Sequence, residues 1–222
     1  MFIQLTSPDQ HSFACYLATP VGATKGAVVV LQEIFGVNEH IRSVCERYAA
    51  EGYVALAPAL FDRIRPGVEL GYGPEDRAEA VALAFKQLTI EQALMDIQTA
   101  VDHAAERARV GVVGYCFGGL LAWLSACQLG RIDAVSAYYG GGIARYKDAV
   151  PRCPVQLHFG KEDALIPLAD VEAMRAAHPA VEVFLYDAGH GFNCDQRESF
   201  HAHAAAQALT RTLEFFGRNL KS

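Results

Sequence analysis

Val110-Gly111-Val112-Val113-Gly114-Tyr115-Cys116-Phe117-Gly118-Gly119 opens as an apolar run and closes as a glycine-rich corner with a thiol at its apex. Leu120, Leu121, Trp123, Leu124 and Cys127 follow at helical spacing, so a buried strand breaks sharply into a helix here. The apex residue of so tight a turn takes a strained backbone conformation, and the residues two before and two after it must be small to avoid collision. Gly114 and Gly118 meet that demand. The corner also aims the free N–H groups of the helix N-terminus at Cys116, where they favour a thiolate or a developing oxyanion. A bare Gly-x-Cys-x-Gly is equally compatible with an ordinary buried cysteine between closely packed elements; the strand before it and the helix after it favour a nucleophile.

Outward from this corner the chain alternates. A pair of strands, 2–5 and 12–18, is joined by the polar turn Ser7-Pro8-Asp9-Gln10 and reads as an antiparallel hairpin at a sheet edge. Strand-like runs at 26–31, 53–57, 110–113, 134–139, 155–159 and 181–186 then alternate with helical stretches at 39–50, 74–88, 90–107, 117–129, 168–177 and 198–220. Such alternation predicts an α/β fold, a mostly parallel sheet with helices on both faces. The loop-like stretch 60–73, with Pro66, Gly67, Gly71 and Gly73, is of a kind that often lines an active site.

The 222 residues suffice for one domain with a substantial core, and residues 1–222 are expected to form a single one. A net charge of -6 with interspersed signs gives no basic patch for nucleic acid or an anionic membrane. No apolar run approaches the ~18 residues of a membrane span, and no leader-like segment is recognised, so the expected location is the cytoplasm. Six cysteines are scattered without a Cys-x-x-Cys pair and are expected to be mostly reduced. His201 and His203 fall two apart in an alanine-rich helical stretch and so face apart, and no metal site and no cofactor are expected.

A thiol nucleophile needs an imidazole to take its proton and, behind it, a group to orient the imidazole. In parallel sheets the ligand crevice lies beyond the C-terminal strand ends. Asp163 follows the strand 155–159 and His190 follows the strand 181–186, in the order nucleophile, acid, histidine used by α/β-hydrolases, with Glu162 a competitor for the acid. Glu33 places a further carboxylate at the same edge, and Phe117 and Ile34 supply candidate oxyanion-hole N–H groups.

With Gln32-Glu33-Ile34-Phe35-Gly36-Val37-Asn38, the cysteine elbow, Asp163 and Ala188-Gly189-His190 in place, the chain closely resembles the dienelactone hydrolase (carboxymethylenebutenolidase) family over nearly its whole length. The resemblance implies an α/β-hydrolase fold without a large cap and a Cys116-His190-Asp163 triad, with Glu33 helping to generate the thiolate when substrate binds. It implies opening of an enol-lactone ring, and substrate contacts from Arg77, Tyr139 and Phe35. It also implies a second carboxylate-binding arginine four residues after the histidine, where this chain has Cys194. A cysteine cannot make that charge-assisted contact, typically worth about 1.5–3 kcal/mol, and nothing in the sequence directs Arg197 into its place. Val81, Ala84 and Phe85 stand where the family's pocket aromatics are expected, and Gly191 follows the histidine. The expected substrate is therefore a small lactone or a related simple ester; a thioester, or a redox-sensing domain without catalysis, are the alternatives. The only expected partner is that small molecule, bound by a monomer.

Overall fold

The computed structural model describes residues 1–221. Strands β1 (Phe2–Thr6) and β2 (Ser12–Ala18) form the edge hairpin, Phe2 opposite Tyr16 and Thr6 opposite Ser12. The remaining strands are β3 (Ala27–Leu31), β4 (Val54–Pro58), β5 (Val110–Tyr115), β6 (Ala134–Tyr138), β7 (Val155–Gly160) and β8 (Glu182–Tyr186). One eight-stranded sheet contains them all in the order β1-β2-β4-β3-β5-β6-β7-β8. Beyond the antiparallel β1–β2 and β2–β4 pairs every neighbour is parallel. Strands β3, β5, β6 and β7 are buried at every position, which is why they read as continuous apolar runs rather than alternating ones.

Helices cover both faces. Helix α1 (Glu39–Ala50) starts at Asn38, whose side chain accepts from the Ile41 N–H at 3.2 Å, and it meets α6 (Ala202–Asn219) through Tyr48 and Phe216, ring centres 6.3 Å apart. On the other face α3 (Ile90–Ala105) packs against α4 (Phe117–Gln128). A reciprocal Thr89–Gln92 capping box opens α3 and ends the preceding segment. Helix α2 (Pro74–Ala82) and α5 (Leu168–Ala177) complete the set. Beneath α6, the Thr212 hydroxyl meets Ser136, Tyr138 and His158 at 3.1, 2.7 and 3.2 Å. Burial, with Arg211 adding to it, holds His158 down at about 3, so this ring is a neutral structural member of the core.

Two expected elements differ in form. The 74–88 helix ends as α at Ala82 and continues as a wide π turn over Leu83–Gln87, closed by the Leu88 N–H on the Leu83 carbonyl at 3.0 Å. The expected 198–220 helix begins at Ala202, because the His201 side chain accepts from the Ala204 N–H and caps it there. The loop 60–73 packs against the β3–α1 connection, the Leu70 N–H bonding the Phe35 carbonyl at 2.9 Å, and supplies none of the residues lining the cleft described below. No helix among the described residues is long and apolar enough to cross a membrane.

Candidate active site

Cys116 sits between β5 and α4 with φ 55° and ψ -114°, a strained conformation for any residue with a side chain. The glycines on either side are required sterically. A Cβ on Gly114 would lie 1.9 Å from the Gly118 carbonyl oxygen, and one on Gly118 would lie 2.3 Å from that of Leu31. The elbow therefore presses the first turn of α4 against the end of β3, beside Glu33 and Ile34. Cys116 closes the corner by donating its N–H to the Tyr138 carbonyl at 3.0 Å.

The loops after β7 and β8 deliver the other two groups to this corner. His190 Nδ1 is 2.8 Å from Asp163 Oδ2, and His190 Nε2 is 3.2 Å from Cys116 Sγ. The Asp163 carboxylate is inaccessible to solvent, and its second oxygen accepts from the Leu165 N–H at 2.8 Å, so its orientation is held from both ends. Bonding to Asp163 places a proton on Nδ1 and leaves Nε2 to exchange one with sulfur. Burial disfavours the imidazolium, yet hydrogen bonds to Asp163 and Cys116 and the charges of both outweigh it and raise His190 from 6.5 to about 10.

That shift has a consequence for stability. Because the folded value lies above the unfolded one, the protonated imidazole stabilises the fold fully below about pH 6.5, and the contribution is lost as pH rises through about 10. The difference in melting temperature between the parent protein and His190→Ala is expected to narrow between about pH 7 and about pH 11. Paired thermal melts across that range check it; a constant difference would contradict the coupling.

Cys116, His190, Phe117, Ile34 and Arg77 line one open cleft of about 700 Å³, with Phe85 on its wall. Phe85 is 59% exposed and packs edge-on against Phe117 at 5.5 Å, a position it takes from the π turn. The first N–H groups of α4, Phe117 among them, have no acceptor within the helix and are free to face a bound oxygen. Arg77 carries no ion pair among the described residues, and neither does Arg145, a second guanidinium on the cleft that sequence reasoning missed. The signal available was its loop: Gly140-Gly141-Gly142 follows β6 at the same sheet edge as the triad residues.

Two expected substrate contacts lie outside the residues that line this cleft. Tyr139 and Phe35 do not line the cleft: Tyr139 is fully buried behind His190, ring centres 5.1 Å apart, and Phe35 is buried against Tyr72 at 4.7 Å. Close packing of the loops behind the imidazole leaves neither ring a free face. Cys194 is also buried and donates its S–H to the Tyr72 hydroxyl at 3.2 Å. Arg197 turns inward, its guanidinium 3.2 Å from Glu33 Oε1 and 5.8 Å from each of the Phe35 and Tyr72 ring centres. Gly191 makes room for it, since a Cβ there would stand 2.5 Å from the guanidinium.

An eight-stranded, mostly parallel sheet with a nucleophile-type elbow after β5 and acid and histidine loops after β7 and β8 defines an α/β-hydrolase. A model of the dienelactone hydrolase family matches residues 13–220. The carboxymethylenebutenolidase of Pseudomonas putida is 32% identical, covering 96% of this chain and 94% of that protein. An inferred carboxymethylenebutenolidase from a Synechocystis species is 39% identical over 98% of this chain and 96% of its own. The crystal structure of an inferred dienelactone hydrolase from Klebsiella pneumoniae superposes with a TM-score of 0.83 at 32% identity, covering 98% of each chain. The chain belongs to the dienelactone hydrolase family.

Proposed function

We propose that this chain is a thiol-dependent carboxylic ester hydrolase that opens a small enol-lactone or a related ester. The observation that carries this reading is the single imidazole bridging Cys116 Sγ at 3.2 Å and Asp163 Oδ2 at 2.8 Å at the mouth of an open cleft. His190, its basicity raised by Asp163 and Cys116, takes the Cys116 proton before the sulfur attacks the carbonyl carbon, and the carbonyl oxygen becomes an oxyanion facing the Phe117 and Ile34 N–H groups. Collapse of this intermediate forms a thioester and expels the enolate or alkoxide; His190 gives its proton to that leaving group, or to solvent where a stable enolate departs unprotonated, and is neutral again. Water, deprotonated by His190, then attacks the thioester, releases the acid and restores Cys116. Asp163 keeps the imidazole in the productive tautomer throughout, and Glu33 supports thiolate formation when substrate enters. All the parts come from one domain of one chain, so the reading requires no second copy. Six unpaired thiols suit a reducing compartment such as the cytoplasm.

The cleft's two unpaired guanidinia favour an acidic substrate over a neutral one, Arg145 offering the second positive charge that Cys194 cannot. Removing either charge-assisted contact, Arg77→Ala or Arg145→Ala, is expected to lower kcat/KM for a carboxylate-bearing lactone about tenfold while leaving neutral p-nitrophenyl esters nearly unchanged. Equal effects on both substrates would argue against carboxylate recognition. The reaction itself is tested by trapping. Rapid quenching during turnover is expected to show an acyl adduct on Cys116 by mass spectrometry, whereas reversible sulfenylation alone, without hydrolysis of any lactone or ester, would favour redox sensing.

A further inference from the structure

Behind the triad lies a second convergence of groups. Glu33, His40 and Cys194 come from the β3–α1 connection, the first turn of α1 and the loop after β8, and they are 1%, 0% and 0% exposed. A carboxylate oxygen, an imidazole nitrogen and the sulfur all lie within 4.8 Å of one another. Two of these groups present unpartnered atoms: Glu33 Oε2 and His40 Nε2 are buried without a hydrogen bond. Buried polar atoms of this kind are costly and rare unless something occupies the space between them.

We infer that Glu33, His40 and Cys194 form a binding site for a single divalent cation of the zinc class. The donor set supports that class, because one thiolate, one imidazole and one carboxylate suit a borderline ion and leave the fourth tetrahedral position to water. The histidine is already oriented for the task. Its Nδ1 lies 3.1 Å from Asp195 Oδ1, which puts the proton on Nδ1 and leaves the Nε2 lone pair free, the usual carboxylate–histidine support of a metal ligand. The Cys194 thiol proton leaves to solvent as the sulfur–metal bond forms, so the carboxylate and the thiolate bring two anionic ligands to the ion. Arg197 sits on Glu33 Oε1, so Oε2 remains for the metal while the cleft is empty of substrate, and Asp195 Oδ2 pairs with Arg47 at 3.3 Å. Without a cation, burial first and Glu33 second hold the Cys194 thiol at about 11, in keeping with its S–H donating to Tyr72.

Cobalt(II), followed by displacement with zinc(II), provides the test, performed on Cys116→Ala so that the Cys116–His190 pair contributes no thiolate. A near-ultraviolet thiolate-to-cobalt absorption is expected in that protein, bleached by one equivalent of zinc. In the same background Cys194→Ser should abolish the band, His40→Gln should weaken cobalt binding at least tenfold, and Asp195→Asn should weaken it about tenfold. Absence of the band in Cys116→Ala overturns the site, as does a band that survives Cys194→Ser or an affinity indifferent to His40→Gln. Should Cys194→Ser fail to fold by circular dichroism, the His40 and Asp195 variants decide. None of these readouts uses hydrolysis, so their failure would leave the proposed reaction standing.

Discussion

Cys116→Ala is expected to remain folded and to lose about 10⁴-fold or more of its kcat/KM toward any lactone or ester the parent protein turns over. Removal of a nucleophile eliminates the covalent route altogether, leaving only binding and the oxyanion donors to act on water. The fold should tolerate the change, because the side chain is only partly buried and alanine adopts the elbow conformation no less easily than cysteine. Cys116→Ser retains a proton donor for His190 but a far weaker acid, and it too should lose most activity. The measurement is steady-state kinetics alongside circular dichroism of each variant. Turnover in Cys116→Ala within tenfold of the parent would sink the proposed mechanism.

Gly118→Ala is expected to carry a large stability loss for a single methyl addition. The new Cβ would stand 2.3 Å from the Leu31 carbonyl oxygen and 2.6 Å from that of Gln32, both backbone atoms of the strand end that α4 abuts. No side-chain rotation relieves such a contact, so the helix must lift from β3. We expect a loss of about 3 kcal/mol or more, lowering the melting temperature by about 6–12 °C. The better helix propensity of alanine, about 1 kcal/mol, does not offset it. Gly130→Ala is the control: a Cβ there meets nothing within 4 Å and should change stability by about 0.5 kcal/mol or less. Denaturant melts of both variants decide, and equal stabilities would remove the steric account of the elbow.

Much of the architecture was legible in the residues because its signals are local. Strands buried on both faces show as unbroken apolar runs, and β3, β5, β6 and β7 are such strands. The elbow shows because only glycine fits at positions 114 and 118, a constraint that leaves its mark in the sequence itself. Boundaries failed where a side chain, not periodicity, sets the end: His201 caps α6 four residues after its expected start, and the π turn at Leu83–Gln87 preserves an apolar pattern while changing its pitch. In the site, the direction of Arg197 was unreadable, since it is set by the space above Gly191 and by Glu33, 164 positions away in the chain. Arg145 was overlooked because an exposed loop arginine carries no pattern of its own.

The sequence alone determined the parallel α/β order, the strained cysteine corner, and the acid and histidine on loops after later strands, because each depends on neighbours within a few residues or on the succession of elements. Tertiary structure alone decided which polar groups meet: His190 between Cys116 and Asp163, Arg197 on Glu33, Tyr139 and Phe35 withdrawn from the cleft, and Glu33, His40 and Cys194 drawn together behind it. The physical reason is range. Backbone sterics and hydrophobic periodicity act along the chain and are written in it, whereas a hydrogen bond between loops exists only once the sheet has set the distance between them.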